Sequence, residues 1–219
     1  DKFMKAMEND ESWDLIDPNS KDLIKTVKAR QLWIKILEAR VATGEPYIMF
    51  GDTVQRGLPK TQKDLGLKVT HSNLCSEITL ATNTGRTAVC CLSSVNVEKF
   101  DEWKDNELFI DDLMRMLDNV LTHFIDVAPS HMWRAVASAK SERSIGLGAM
   151  GFHTYLQSKS VPIESDEAMS WNKIVFKHIH TKALATNYVL GKERGEPSDM
   201  KGTGKRFAHM IAIAPNASS

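Results

Sequence analysis

Apolar residues in this chain recur with two different periods, and the alternation between them predicts an α/β unit. Between Ser20 and Gly44 the positions Leu23, Ile24, Val27, Ile34, Leu37 and Val41 roughly follow helical spacing, with the serine as N-cap and the glycine as terminator. PYIMF, residues 46–50, reads as a short buried strand, and the Gly-, Pro-, Thr- and Lys-rich residues 51–72 read as a loop. RTAVCCLSSVNV, residues 86–97, is a second strand. The stretch ELFIDDLMRMLDNVLTHFIDVA then sets Leu108, Phe109, Leu113, Met116, Leu117, Val120, Leu121 and Phe124 along an amphipathic helix. A further helix is expected over 130–143. SIGLGAMGFHTYLQ mixes a glycine-spaced strand with a helix start, and Ser165 with Asp166 and Glu167 opens a long helix to about Arg194, closed by Gly195 and Pro197. FAHMIAIA is a last buried strand leading into Pro215, a residue suited to a first helical turn. Strands alternating with helices favour largely parallel pairing. No repeat, low-complexity tract or linker marks a domain boundary inside the chain.

The 219 residues are 42% hydrophobic and 26% charged, ordinary material for a folded domain or part of one. Lys plus Arg equals Asp plus Glu at 28 each, so no global field draws nucleic acid or an anionic membrane. A phosphorylated small molecule needs only local donors and stays open. No run approaches the roughly 18 apolar residues of a membrane span, and DKFMKAMENDESWD resembles neither a signal nor a transit peptide, so a cytoplasmic location is expected. The start without methionine and the stop at IAIAPNASS lead us to expect a piece of something larger.

The candidate chemistry begins at SNLCSEI, residues 72–78. If extended, it aligns Asn73, Cys75 and Glu77 on one face as a row of amide, thiol and carboxylate. A lone cysteine is more often a small buried hydrophobe than a catalyst, but burying Asn and Glu beside it is costly unless they have partners, which a hydroxylated substrate supplies. A neighbouring glutamate raises a thiol pKa and opposes thiolate formation, whereas hydrogen-atom chemistry starts from a protonated thiol. Cys90 and Cys91, adjacent on a strand, face opposite sides, so at most one looks into a cavity with Cys75. A zinc site from these cysteines and a histidine lacks any C-x-x-C clip and is disfavoured. Gly146, Gly148 and Gly151 spell G-x-G-x-x-G, but a close strand-to-helix crossing explains small residues better than a nucleotide site does. The terminal PNASS carries the backbone and hydroxyl donors of a phosphate-binding helix start, although an ordinary cap is its commoner reading.

In combination, SNLCSEI, GRTAVCCLSSVN, RSIGLGAMGFH, APNASS and the upstream TGEPYIMFGDTVQRGLP resemble the catalytic (large, α) subunit of class I ribonucleotide reductases over nearly the whole chain. The resemblance implies an α/β fold, part of a ten-stranded barrel of two parallel five-stranded halves with the radical cysteine at the tip of a central loop, so the extended picture of SNLCSEI is a local approximation. It implies that Cys75 becomes a thiyl radical that removes the C3′ hydrogen of a ribonucleoside diphosphate. Glu77 takes the 3′-hydroxyl proton, Asn73 hydrogen-bonds the ribose hydroxyls, and Cys90 is one of two cysteines that end as a disulfide. Cys91 is then packing. Leu74 and Ser76 fall in the substrate-binding loop, and Pro215, Asn216, Ala217, Ser218 and Ser219 in the segment that holds the diphosphate. No metal or cofactor is expected on this chain: a metal-containing small (β) subunit supplies the radical, and thioredoxin or glutaredoxin the reducing power. The remaining segments of the α subunit and an α dimer are further expected partners. The second reducing cysteine lies upstream in the family, and only 74 residues precede Cys75 here, so the chain alone is expected not to turn over. A reductase of the same fold using adenosylcobalamin and a non-catalytic scaffold fragment are the alternatives.

Overall fold

The computed structural model describes residues 1–216. It divides into two compact units, Asp1–Gly57 and Leu58–Ser219, at a point that the hydrophobic pattern does not mark. In the first unit, helix α1 (Lys2–Glu8) precedes an antiparallel hairpin of β1 (Ser12–Ile16) and β2 (Leu23–Lys28), followed by α2 (Ala29–Thr43) and α3 (Gly51–Gly57). The helix expected from Ser20 therefore begins only at Ala29. Asp17 explains the difference: its Oδ1 accepts from the backbone N–H groups of Asn19 and Ser20, closing a turn that directs the β-branched Ile24, Thr26 and Val27 into a strand. Gly44 does end the helix, in the left-handed conformation at φ 80°. Ile24 and Val41 are 67% and 88% exposed, so the apolar stripe read from the sequence is not a core within this chain. PYIMF forms no strand: no extended neighbour pairs with it, and Tyr47 and Phe50 are half exposed.

The second unit holds α4 (Lys60–Asp64), β3 (Leu92–Asn96), α5 (Phe100–Trp103), α6 (Phe109–Val127), α7 (Trp133–Glu142), β4 (Gly146–Met150), α8 (Phe152–Ser158) and α9 (Asp166–Arg194). Thus the expected loop 51–72 contains two short helices, and the expected strand 86–97 is regular only from Leu92. The long helix starts as its sequence requires, with the Ser165 hydroxyl accepting from the N–H of Ala168. The amphipathic helix buries Ile110, Met114, Leu117 and Leu121, spaced four, three and four apart, against Val175, Ile179, Ala183 and Leu190 of α9. Met116 and Val120 of the expected stripe are instead half exposed.

β3 and β4 pair in parallel from Leu92↔Gly146 to Asn96↔Met150. The FAHMIAIA segment lies along the other side of β4, with a single parallel bridge at Leu147↔Ile211, where a full strand was expected. The N–H groups of Ile145 and Leu147 donate to the carbonyls of His209 and Met210, at 3.0 and 2.9 Å. Glycine makes this approach feasible: a Cβ on Gly148 would stand 2.5 Å from the Ala212 carbonyl oxygen, and one on Gly146 would stand 2.8 Å from the Ala212 Cβ. Among the described residues the strands make two sheets of two strands each, so the ten-stranded closure implied by the resemblance is not achieved by this chain alone.

The fully buried Asp118 of α6 fastens the unit. Its carboxylate accepts from Arg143 at the C-cap of α7, from Arg194 in the last turn of α9 at 2.7 Å, and from Arg206 at 3.2 Å. Burial pushes this carboxyl up, but the hydrogen bonds and charges of the arginines outweigh it and hold the group below its ordinary range. The stabilisation is therefore present above the ordinary carboxylate pKa and lost as pH falls through the lowered native value.

Two measurements check this packing. Gly148→Ala should lower the denaturant midpoint by the equivalent of about 1–3 kcal/mol, since backbone must shift to admit the methyl group. Asp118→Asn should cost about 3–5 kcal/mol at neutral pH and should flatten the stability loss that the parent chain shows on acidification from about pH 5 to pH 2.

Candidate functional site

SNLCSEI is a closed turn. The Ser76 N–H donates to the Asn73 carbonyl at 3.2 Å, and the Asn73 N–H donates to the Ile78 carbonyl at 3.3 Å. The Asn73 side chain completes the closure, its Oδ1 accepting from the Ile78 N–H at 3.1 Å. Ser76 takes φ 69°, a left-handed conformation that breaks the extended period. The expected single row of Asn73, Cys75 and Glu77 is therefore corrected. Leu74, 89% exposed, and the exposed Cys75 occupy the turn's tip, and the other two side chains stand at its base.

Two clefts meet beneath that base and share Ile78, Leu80 and Cys90. One is lined by Glu77, Cys90, Ser144 and His209 among others. The second is lined by His71, Ser72, Asn73, Thr82, Thr87 and Cys90 among others. The structure thus brings Cys90 together with Glu77 on one side and with Asn73 on the other. Cys75 lines neither cleft, and its thiol, like those of Cys90 and Cys91, is free.

Cys90 is exposed, whereas Cys91 is half-buried against the main core, in keeping with opposite-facing neighbours. Desolvation, then the Glu77 carboxylate and the Cys91 thiol, push the Cys90 thiol above its ordinary pKa, so it stays protonated at neutral pH. The Glu77 Oε2 is buried and has no hydrogen-bond partner among the described residues. A carboxylate oxygen in that condition carries a desolvation cost that a donor from a ligand would offset.

Behind the first cleft lies a polar network that the sequence did not single out. Arg86 donates to both oxygens of the buried Asp199, at 2.6 and 2.7 Å. The fully buried Gln62 bridges Asp199 and Glu142, and its Oε1 lies 3.3 Å from the His209 Nε2. Glu142 also accepts from the Ser138 and Ser144 hydroxyls, at 2.7 and 2.9 Å, while burial pushes its carboxyl above the ordinary range. These residues are scattered over 147 positions, from Gln62 to His209, and no local pattern announces them.

Pro215 is exposed, and Asn216 donates to the carbonyls of Ala149 and Ala214, at 3.0 and 2.8 Å. Ala217, Ser218 and Ser219 lie outside the described residues. Among the described residues no group of three His, Cys, Asp or Glu side chains is placed to hold a metal ion, and no helix is long and apolar enough to cross a membrane.

Known proteins share this arrangement of elements. Residues 1–203 match the family model described as ribonucleotide reductase, barrel domain. The chain belongs to that family, in its large-subunit, class I branch. It is 55% identical over 207 residues to the ribonucleoside-diphosphate reductase large subunit of Invertebrate iridescent virus 3, covering 94% of this chain and 33% of that protein. With the ribonucleoside-diphosphate reductase subunit alpha of Chlamydia muridarum (strain MoPn / Nigg) the identity is 34%, over 86% of this chain and 18% of the other. The solved class Id ribonucleotide reductase alpha subunit of Actinobacillus ureae superposes with a TM-score of 0.87 at 36% identity, covering 99% of this chain and 39% of that one. The chain therefore spans well under half the length of these relatives.

The influence of Glu77 on Cys90 has a direct readout. Glu77→Gln should lower the pH midpoint of Cys90 alkylation, measured by peptide-resolved mass spectrometry.

Proposed function

We propose that this chain is the part of a ribonucleoside-diphosphate reductase catalytic subunit that carries the radical thiol and one of its two reducing thiols. Besides family membership, the observation that carries the reading is the shared cleft, in which an unpartnered carboxylate oxygen of Glu77 lies beside a protonated Cys90. In this reading a ribose lies across the two clefts. The Cys75 sulfur, once oxidised to a thiyl radical, takes the hydrogen atom from C3′, and Glu77 takes the proton of the 3′-hydroxyl. Asn73 hydrogen-bonds the ribose. Cys90 and a second cysteine from the rest of the subunit deliver two electrons and two protons, so that the C2′–O bond breaks, water leaves and a disulfide forms; Glu77 then gives the proton back to the 3′-oxygen and Cys75 returns the hydrogen atom to C3′, which regenerates its thiyl radical. Positioning and local polarity do the catalytic work.

The one-electron oxidation of Cys75 belongs to a metal-containing small subunit, and thioredoxin or glutaredoxin reduces the disulfide afterwards. The rest of the catalytic subunit completes the ten-stranded barrel around the turn tip and covers Leu74 and Cys75. The segment from Pro215 to Ser219 receives the substrate's diphosphate. The substrate is a ribonucleoside diphosphate, and the complete catalytic subunit works as a dimer.

Reconstitution tests the proposal. Mixed with the missing segments, the radical-bearing subunit and a dithiol reductant, the chain should form deoxyribonucleoside diphosphates, and Cys75→Ala should reduce product to background. Turnover that survives that substitution would refute the radical assignment.

A further inference from the structure

Gln62 fixes the state of the histidine it touches. The Asp199 carboxylate, paired at both oxygens with Arg86, can only accept hydrogen bonds, so the Gln62 atom 3.1 Å from it is the amide nitrogen. The same nitrogen faces Glu142. The remaining amide atom, Oε1, is then an acceptor, and the His209 nitrogen 3.3 Å away must bring the proton. His209 is thereby held as the Nε2–H tautomer, with the lone pair on Nδ1, to which nothing among the described residues donates. Burial lowers the pKa of this ring to about 4, so it stays neutral and keeps that lone pair.

His209 lines the same cleft as Glu77 and Cys90. Glu77 and His209 both line that cleft, and each carries an acceptor with no donor among the described residues, the Glu77 Oε2 and the His209 Nδ1. A ligand that satisfies both brings two donors, as a sugar diol does. We propose that His209 is a substrate-reading residue whose Nδ1 accepts a hydrogen bond from a sugar hydroxyl in the Glu77–Cys90 cleft, with Gln62, Asp199 and Arg86 as its positioning residues. The inference rests on the reading of this cleft as a ribose site and adds a second acceptor to it. Cys90, the reducing thiol of that reading, lines the same cleft, and Glu142 is linked to it through the Ser144 hydroxyl.

Long-range ¹H–¹⁵N correlation of the imidazole rings in the full chain tests this, with cytidine 5′-diphosphate as probe and inorganic diphosphate as control. The expected result is an Nε2–H tautomer that remains neutral at about pH 5 and an Nδ1 resonance that shifts with cytidine diphosphate and not with diphosphate alone. The backbone amides of Glu77 and Cys90 should shift in the same titration. His209→Leu should weaken cytidine diphosphate about fivefold, the loss of one neutral hydrogen bond. If the Glu77 and Cys90 amides respond and Nδ1 does not, the role of His209 falls and the ribose reading stands. If none of the three responds, both fall. An Nδ1–H tautomer, or a ring titrating at an ordinary histidine value, overturns the inference on its own.

Discussion

Three extended segments can lie side by side only where β4 presents no side chain to its neighbours. Gly146 and Gly148 meet that requirement, since a methyl group at either position would overlap Leu92 or the 212 region at well under van der Waals distance. Cys90 sits just before β3, Ser144 just before β4, and His209 at the start of the segment that follows β4 on its far side. Their meeting in one cleft is a consequence of that close approach. The chemistry attributed to the cleft depends first on backbone contact and only then on the reactive groups.

Around this centre the chain uses buried charge sparingly and with several partners each. Asp118 has three arginines, drawn from the ends of two helices and the segment after α9. Asp199 has Arg86 and Gln62, and Asn187 accepts the backbone N–H groups of Arg206 and Phe207 at 2.8 Å each. Each is a polar group placed where an apolar residue would leave helix ends and loop backbone unsatisfied. Together they tie the segment after α9, which carries His209, to the two long helices.

The sequence foretold these elements unevenly, for physical reasons. The long helices were legible because Ser165, Asp166 and Glu167 mark a start and because Leu113, Leu117, Leu121 and Phe124 repeat at helical spacing, although the buried Ile110 and Met114 lay outside the expected stripe. Leu23 to Lys28 misled because a few apolar residues fit either period, and the Asp17 turn that decides between them is a side-chain effect. PYIMF misled because an apolar pentapeptide becomes a strand only with a partner to pair with. Asn73, Glu77 and Cys90 were singled out through their motif and line adjoining clefts, although the SNLCSEI turn breaks the extended geometry assumed for it. Gln62, Arg86, Glu142, Asp199 and His209 were invisible, because each meets its partners only through tertiary contact.

The closure of the SNLCSEI turn also limits what its asparagine can say to a ligand. With Oδ1 held by the Ile78 N–H, the amide is locked against rotation by half a turn, and its Nδ2 is the end left to face outward. At that Nδ2 end Asn73 offers protons, so an atom that settles opposite it supplies a lone pair, and the loop sorts ligands by hydrogen-bond polarity before any reaction begins.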